Sequence, residues 1–280
     1  MSPVNTESQN IQGGKLLERL PEYRDTEVKP PDEENPVYMV DGVGHDRVTS
    51  ILDVISKPAL VPWAAGIAAD SFAESLEALL QVRSLSVDDL PGLRDMAAKA
   101  HNATRDNAAS FGTSAHHAIE EYITNSTVPT DLTLVPILNA FEAWRTKENL
   151  TIEYTERIVW NPQYQYGGTI DALAYRDGKP IVIDFKTGTR IYKEAALQVA
   201  AYAYGIRAIT GVPIDEAWVV NIPRKQPKKG PGFNTRKIPQ PLLGQNFTTF
   251  LAVLDVYKGM KRPVWVTRVT KKQEAEEQEA

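Results

Sequence analysis

The chain has 280 residues, 42% of them hydrophobic, with 31 Lys and Arg against 36 Asp and Glu, for a net charge of −5. That is enough apolar material for one large domain, and the wrong charge for coating nucleic acid by bulk attraction. Cysteine is absent, which excludes disulfides, thiolate zinc sites, iron–sulfur clusters and cysteine nucleophiles and leaves any metal to carboxylates, carbonyls and four histidines. No apolar run reaches the ~18 residues of a membrane span, and the N-terminus lacks the apolar stretch of a secretory signal, so a cytoplasmic location without membrane contact is expected.

Residues 1–35 are acidic and end in the Pro-rich KPPDEENP, so they are expected to be disordered or loosely attached. Residues 271–280 form an acidic tail, and the domain is expected over 36–270. Residues 37–50 pattern as a short hairpin around DGVG, and 51–80 as helix interrupted by Pro58 and Pro62. Ser86–Pro91 reads as a loop and helix start, followed by Ala-rich helix over 96–110. Phe111-Gly112 is expected to break that helix, with Thr113 capping a new one over 114–124; a further helix fits 134–149. Strands then fit 151–160, 164–177 and 179–186, a helix 192–210, and a strand 214–222. A Pro/Lys-rich loop, a helix near 245–260 and a short strand at VWVTRV complete the chain. The middle is therefore an α/β core in the order helix, three-strand antiparallel meander, helix, strand, preceded by an added helical region.

Asp177-Gly178 between two strand patterns is a two-residue hairpin signal, and it fixes the register. Tyr175 then faces Pro180, Leu173 faces Val182, and Asp171 lands opposite Asp184, with Lys186 on the same face. Ile170, Ala172, Ala174, Ile181, Ile183 and Phe185 form the reverse, apolar face, which is expected to be the core. Two carboxylates that close repel; a divalent cation such as Mg²⁺ or Mn²⁺ relieves the conflict. The alternative for Asp171, Asp184 and Lys186 is a surface ion-pair ladder.

His116 and Glu120 are four apart and share a helical face, either as a solvent-facing pair or as part of a metal shell, with His117 pointing elsewhere. Gln198 and Tyr202 repeat that spacing in a later helix, where they are either surface polarity or a clamp on phosphate or water. Residues 222–238 hold Arg224, Lys225, Lys228, Lys229, Arg236 and Lys237 without an acid, either to contact phosphates or as a solvated loop. Trp160, Tyr164 and Tyr166 fit core packing better than base stacking.

In chain order these residues spell GTxxHxxxE (Gly112, Thr113, His116, Glu120), GGxxD (Gly167, Gly168, Asp171), DxKTG (Asp184, Lys186, Thr187, Gly188) and QxxxY (Gln198, Tyr202). The set resembles the PD-(D/E)xK nuclease superfamily in its RecB-like and phage-type exonuclease branch, with the motif core over 111–222. The VTSIL…W segment at 48–63 is similar to the opening of phage-type members. The resemblance implies a restriction-endonuclease-like fold and a DNA exonuclease acting on ends in phage or bacterial recombination, repair or replication. An endonuclease of the same fold, or a DNA-end-binding subunit without activity, is the alternative.

By the same resemblance His116, Asp171, Asp184 and the backbone carbonyl of Phe185 bind Mg²⁺ or Mn²⁺, Glu120 is an outer or second-metal ligand, and Lys186 serves the nucleophilic water or the transition state. Gln198 and Tyr202 then position water or phosphate. Implied partners are DNA ends and a single-strand annealing or binding protein or a separate helicase, in the host cytoplasm if the gene is phage-borne. Ile170 stands in place of the motif's proline, and the absence of cysteine rules out the Fe–S cluster that many relatives carry.

Overall fold

Two left-handed residues in a row set the register of the sheet. Asp177 (φ 53°) and Gly178 (φ 76°) form the tight turn that the Asp-Gly pair demands, joining β5 (Tyr166–Arg176) to β6 (Lys179–Lys186). The ladder runs from Arg176↔Lys179 through Leu173↔Val182 to Ala172↔Ile183, the register expected from sequence. The computed structural model describes residues 26–82 and 85–262. Within it β4 (Thr151–Asn161) pairs antiparallel with β5 along its whole length, and β6 pairs parallel with β7 (Glu216–Asn221). The meander, the flanking helices and the parallel fourth strand give the α/β core the sequence predicts.

Both faces of this sheet are covered. Helices α5 (Glu194–Thr210) and α6 (Gln240–Met260) lie on one face, over Tyr154, Val159, Tyr166, Leu173, Val182 and Val219. Helices α3 (Leu90–Asn125) and α4 (Val135–Glu148) lie on the other, where Phe141 and Trp144 pack on Ile183, Phe185 and Trp218. The expectation of one core face and one polar face is therefore corrected: Leu173 and Val182, on the face assigned to the acids, are fully buried. Burying strands on both sides requires near-continuous apolar runs such as IVI in β6. Trp160 and Tyr166 are buried in the core, and Tyr164 packs on Phe247.

Ahead of the core, β1 (Val28–Lys29), β2 (Tyr38–Val40) and β3 (Val43–Arg47) extend the sheet, followed by α1 (Val48–Leu52) and α2 (Leu60–Val82). Of the segment expected to be loose, 1–25 lies outside the described residues, while Val28–Lys29 pairs with Met39 and Val40. Pro58 falls in the break between α1 and α2, and Pro62 in the first turn of α2, where its missing N–H is harmless. Ser86 caps the turn that leads into α3, with Asp89 returning the hydrogen bond to the Ser86 N–H.

The break expected at Phe111-Gly112 does not occur, because α3 is one helix of 36 residues. Phe111 is a buried contact of the second core, and the Thr113 hydroxyl donates to Ala109 O instead of capping a new helix. An added Cβ at Gly112 would meet Thr187 Oγ1 at an ordinary contact distance of 3.4 Å. The Pro/Lys-rich segment also differs from expectation. Its last part is a strand, β8 (Asn234–Pro239), which pairs with β7 and carries Arg236 and Lys237 opposite Val219 and Trp218. The strand expected at VWVTRV lies outside the described residues.

Gly168 in β5 lets α5 sit against the sheet, because an added Cβ would collide with the ring of the buried Tyr202. Gly168→Ala should therefore destabilise the fold by about 1–3 kcal/mol, as overpacking typically does. Urea denaturation checks this, and an unchanged midpoint would mean that α5 has room to shift.

Candidate functional site

One edge of β5 is shared by two partners. Its C-terminal half pairs with β6 as far as Ala172↔Ile183, and its first residues pair in parallel with β3, as Asp46↔Tyr166 and Arg47↔Gly167. Residues 168–171 lie where β6 has left and β3 has not yet arrived. The ladder thus stops one pair short of the cross-strand match expected for Asp171 and Asp184. Asp171 instead bridges the opening strands: its Oδ2 accepts a 2.6 Å hydrogen bond from the Phe185 N–H.

Asp184 is 1% exposed. Its Oδ1 accepts from Lys186 Nζ at 2.9 Å, and Oδ2 lies 2.7 Å from the same nitrogen, so the ammonium faces both carboxylate oxygens. Lys186 also donates to Gln198 Oε1 at 3.2 Å, and Gln198 Nε2 donates to the Tyr202 hydroxyl at 2.9 Å. The i, i+4 pair on α5 is thus the far end of a polar chain that starts at Asp184. From the other face α3 brings His116, with Nδ1 3.5 Å from Asp171 Oδ1 and its ring edge-on to Phe185. The continuous α3 fixes this position: Ala115 and Ile119, on the stripe beside His116, are buried against the sheet.

These groups set one another's charge. Burial works against a protonated His116, but the Asp171 carboxylate, helped by Asp184, outweighs it and raises the imidazole pKa to about 9. Burial likewise opposes the Asp171 carboxylate, yet His116, Lys186 and the Phe185 N–H hold its pKa below the usual carboxylate range. Asp184 goes the other way: burial pushes it up to about 6, against the pull of Lys186 and with the repulsion of Asp171.

Glu156 on β4, not singled out from the sequence, joins the group. His116, Glu156 and Asp171 each offer a ligand atom within 4.8 Å of the other two, so this trio could hold a metal ion. Burial, then the repulsion of Asp171, raises the Glu156 carboxyl to about 7. Glu156 is solvent-exposed, and its backbone φ of 49° has no signal in sequence. Glu120 is half-buried on α3, with Oε2 3.5 Å from Nδ1 of the exposed His117, and its charge also acts on Glu156.

The basic residues separate into two groups. Arg224 stands beside the site: its main-chain N–H donates to Thr187 O at 3.0 Å, and its guanidinium is 4.5 Å over the Phe111 ring. Lys225, Lys228 and Lys229 are exposed on the segment that follows. Arg236 and Lys237 belong to β8 and not to a loop, and Lys237 donates to Glu148 at 2.6 Å while lying 4.1 Å over the Trp218 ring.

No protein-family model and no curated protein matches the chain. Solved structures similar to it include the alkaline exonuclease LHK-Exo from Laribacter hongkongensis, with a TM-score of 0.35 and 12% identity over 78% of this chain and 92% of that one. The same enzyme in complex with dAMP scores 0.34, with 14% identity over the same shares. SSO0001 scores 0.29, with 16% identity over 53% of this chain and 72% of that one.

The Asp184–Lys186 pair makes a stability prediction of its own. Lys186→Met strands a buried carboxylate and should cost about 3–5 kcal/mol at neutral pH, whereas Lys186→Met with Asp184→Asn should recover much of it. Denaturant titrations of both variants check this; equal losses in single and double variants would show that the pair is not coupled.

Proposed function

We propose that the chain is a metal-dependent nuclease that hydrolyses phosphodiester bonds at DNA ends. The observation that carries this reading is the convergence of Asp171, the buried Asp184 and Lys186 with His116, in the gap where β5 parts from β6. The donor set fits a divalent cation: two carboxylates, with an imidazole nitrogen 3.5 Å from one of them.

His116, Asp171, Asp184 and the main-chain carbonyl of Phe185 would hold Mg²⁺ or Mn²⁺, which supplies a water of lowered pKa and neutralises charge on the phosphate. Lys186, aimed by Gln198, donates toward the attacking water or the developing phosphorane charge. Tyr202 holds Gln198 in turn. Glu120 lies further out, as an outer ligand. Arg224, Lys225, Lys228, Lys229 and Arg236 fit contacts to the DNA backbone beyond the site, whereas Lys237 is engaged with Glu148.

The order of the four motifs, similar to that of RecB-like and phage-type exonucleases, favours action from ends and a role in recombination, repair or replication. Among the described residues no helix is long and apolar enough to cross a membrane. A cytoplasmic enzyme working beside a single-strand annealing or binding protein or a helicase fits this reading.

Incubating the purified protein with end-labelled linear DNA and with closed circular DNA tests it. Cleavage of the linear form should require Mn²⁺ or Mg²⁺ and stop with chelator, and the circle should survive. Asp184→Ala should lower turnover by roughly 10³ or more, since several kcal/mol of transition-state stabilisation go with the ion. Nicking of the circle would favour the endonuclease alternative, and cleavage that persists in chelator or in Asp184→Ala would overturn the reading.

A further inference from the structure

In a regular strand Ile170 and Ala172 would share a face. Here Ile170 packs in the core beneath α5 and Ala172 in the core beneath α4. The partner strand does the same: Tyr154 and Val159, an odd number of residues apart, both face α5. The flanking pairs keep one register, Thr155↔Ala172 and Arg157↔Ile170. The alternation of both strands therefore slips at one level, where Glu156 stands opposite Asp171. Glu156 takes up the slip with φ 49°, the left-handed region that a side chain as large as glutamate enters only at a cost.

The slip turns both carboxylates away from the two cores and brings them within ligand distance of His116. A strained residue that served only to bend the strand would be best as glycine. Glutamate at this position keeps the strain and places a further carboxylate beside Asp171, within ligand distance of His116. We propose that Glu156 is a ligand of the divalent cation, held on the opposite side of Asp171 from Asp184, and that the left-handed kink in β4 exists to aim it. This rests on the nuclease reading above and adds to its metal shell a residue from the first strand of the meander.

The test is Mn²⁺ binding without DNA, followed by calorimetry or by the electron paramagnetic resonance of free Mn²⁺, together with the thermal midpoint of the metal-free protein. Glu156→Gln should weaken Mn²⁺ binding 10–100-fold or more, given that even residues touching a ligand cost that much. Glu156→Gly should lose the same affinity while melting at or above the wild-type temperature, because the ligand is gone and the strain with it. Asp171→Asn serves as the control for the site. Wild-type Mn²⁺ affinity in Glu156→Gln, with binding lost in Asp171→Asn, would overturn the role of Glu156 and leave the nuclease reading intact. No Mn²⁺ binding by the wild-type protein would overturn both.

Discussion

The parting of β5 from β6 is the feature on which the rest of the site depends. A sheet that stayed paired would use the Phe185 region for ladder bonds and close over Asp171. The tight turn at Asp177-Gly178 forces the two strands together at one end. Pairing with β3 draws the start of β5 elsewhere at the other. The gap between is bridged by the Asp171 carboxylate, and a side chain in place of a backbone contact leaves an oxygen, Oδ1, facing His116.

Burial on both sides of the sheet gives that gap its chemistry. Helices on each face exclude water from Asp184, so Lys186 is needed next to it, and the lysine in turn is fixed by Gln198 and Tyr202. A missing side chain makes the covering tight: Gly168 admits the Tyr202 ring. Electrostatics follow from that packing. Asp171 is ionised against His116 and Lys186, while Asp184 resists ionisation because burial outweighs its partner.

Much of this was legible in the sequence because local chemistry dictates it. The Asp-Gly turn carries its register with it, and the i, i+4 spacings of His116–Glu120 and Gln198–Tyr202 identify helix faces wherever the helices pack. What escaped reading was decided by tertiary contact. Gly112 resembles a helix break, but burial of Phe111 carries the helix through. The sequence NTRKIP, charged and Pro-flanked, has little intrinsic strand preference and becomes β8 by pairing with β7. Glu156 escaped because the slip that brings it beside Asp171 arises between two strands together and leaves no mark in either one alone. Lys237 appeared free for DNA in a run of bases, yet pairing in β8 delivers it to Glu148.

The central claim is that the parted strands form a cation site. A crystal of the protein soaked in Mn²⁺ and measured for anomalous scattering at the manganese edge tests it most directly. The account predicts a peak in the gap between β5 and β6, within ligand distance of His116, Asp171 and Asp184. A peak elsewhere with this gap empty, or none at Mn²⁺ concentrations that support activity, would contradict it.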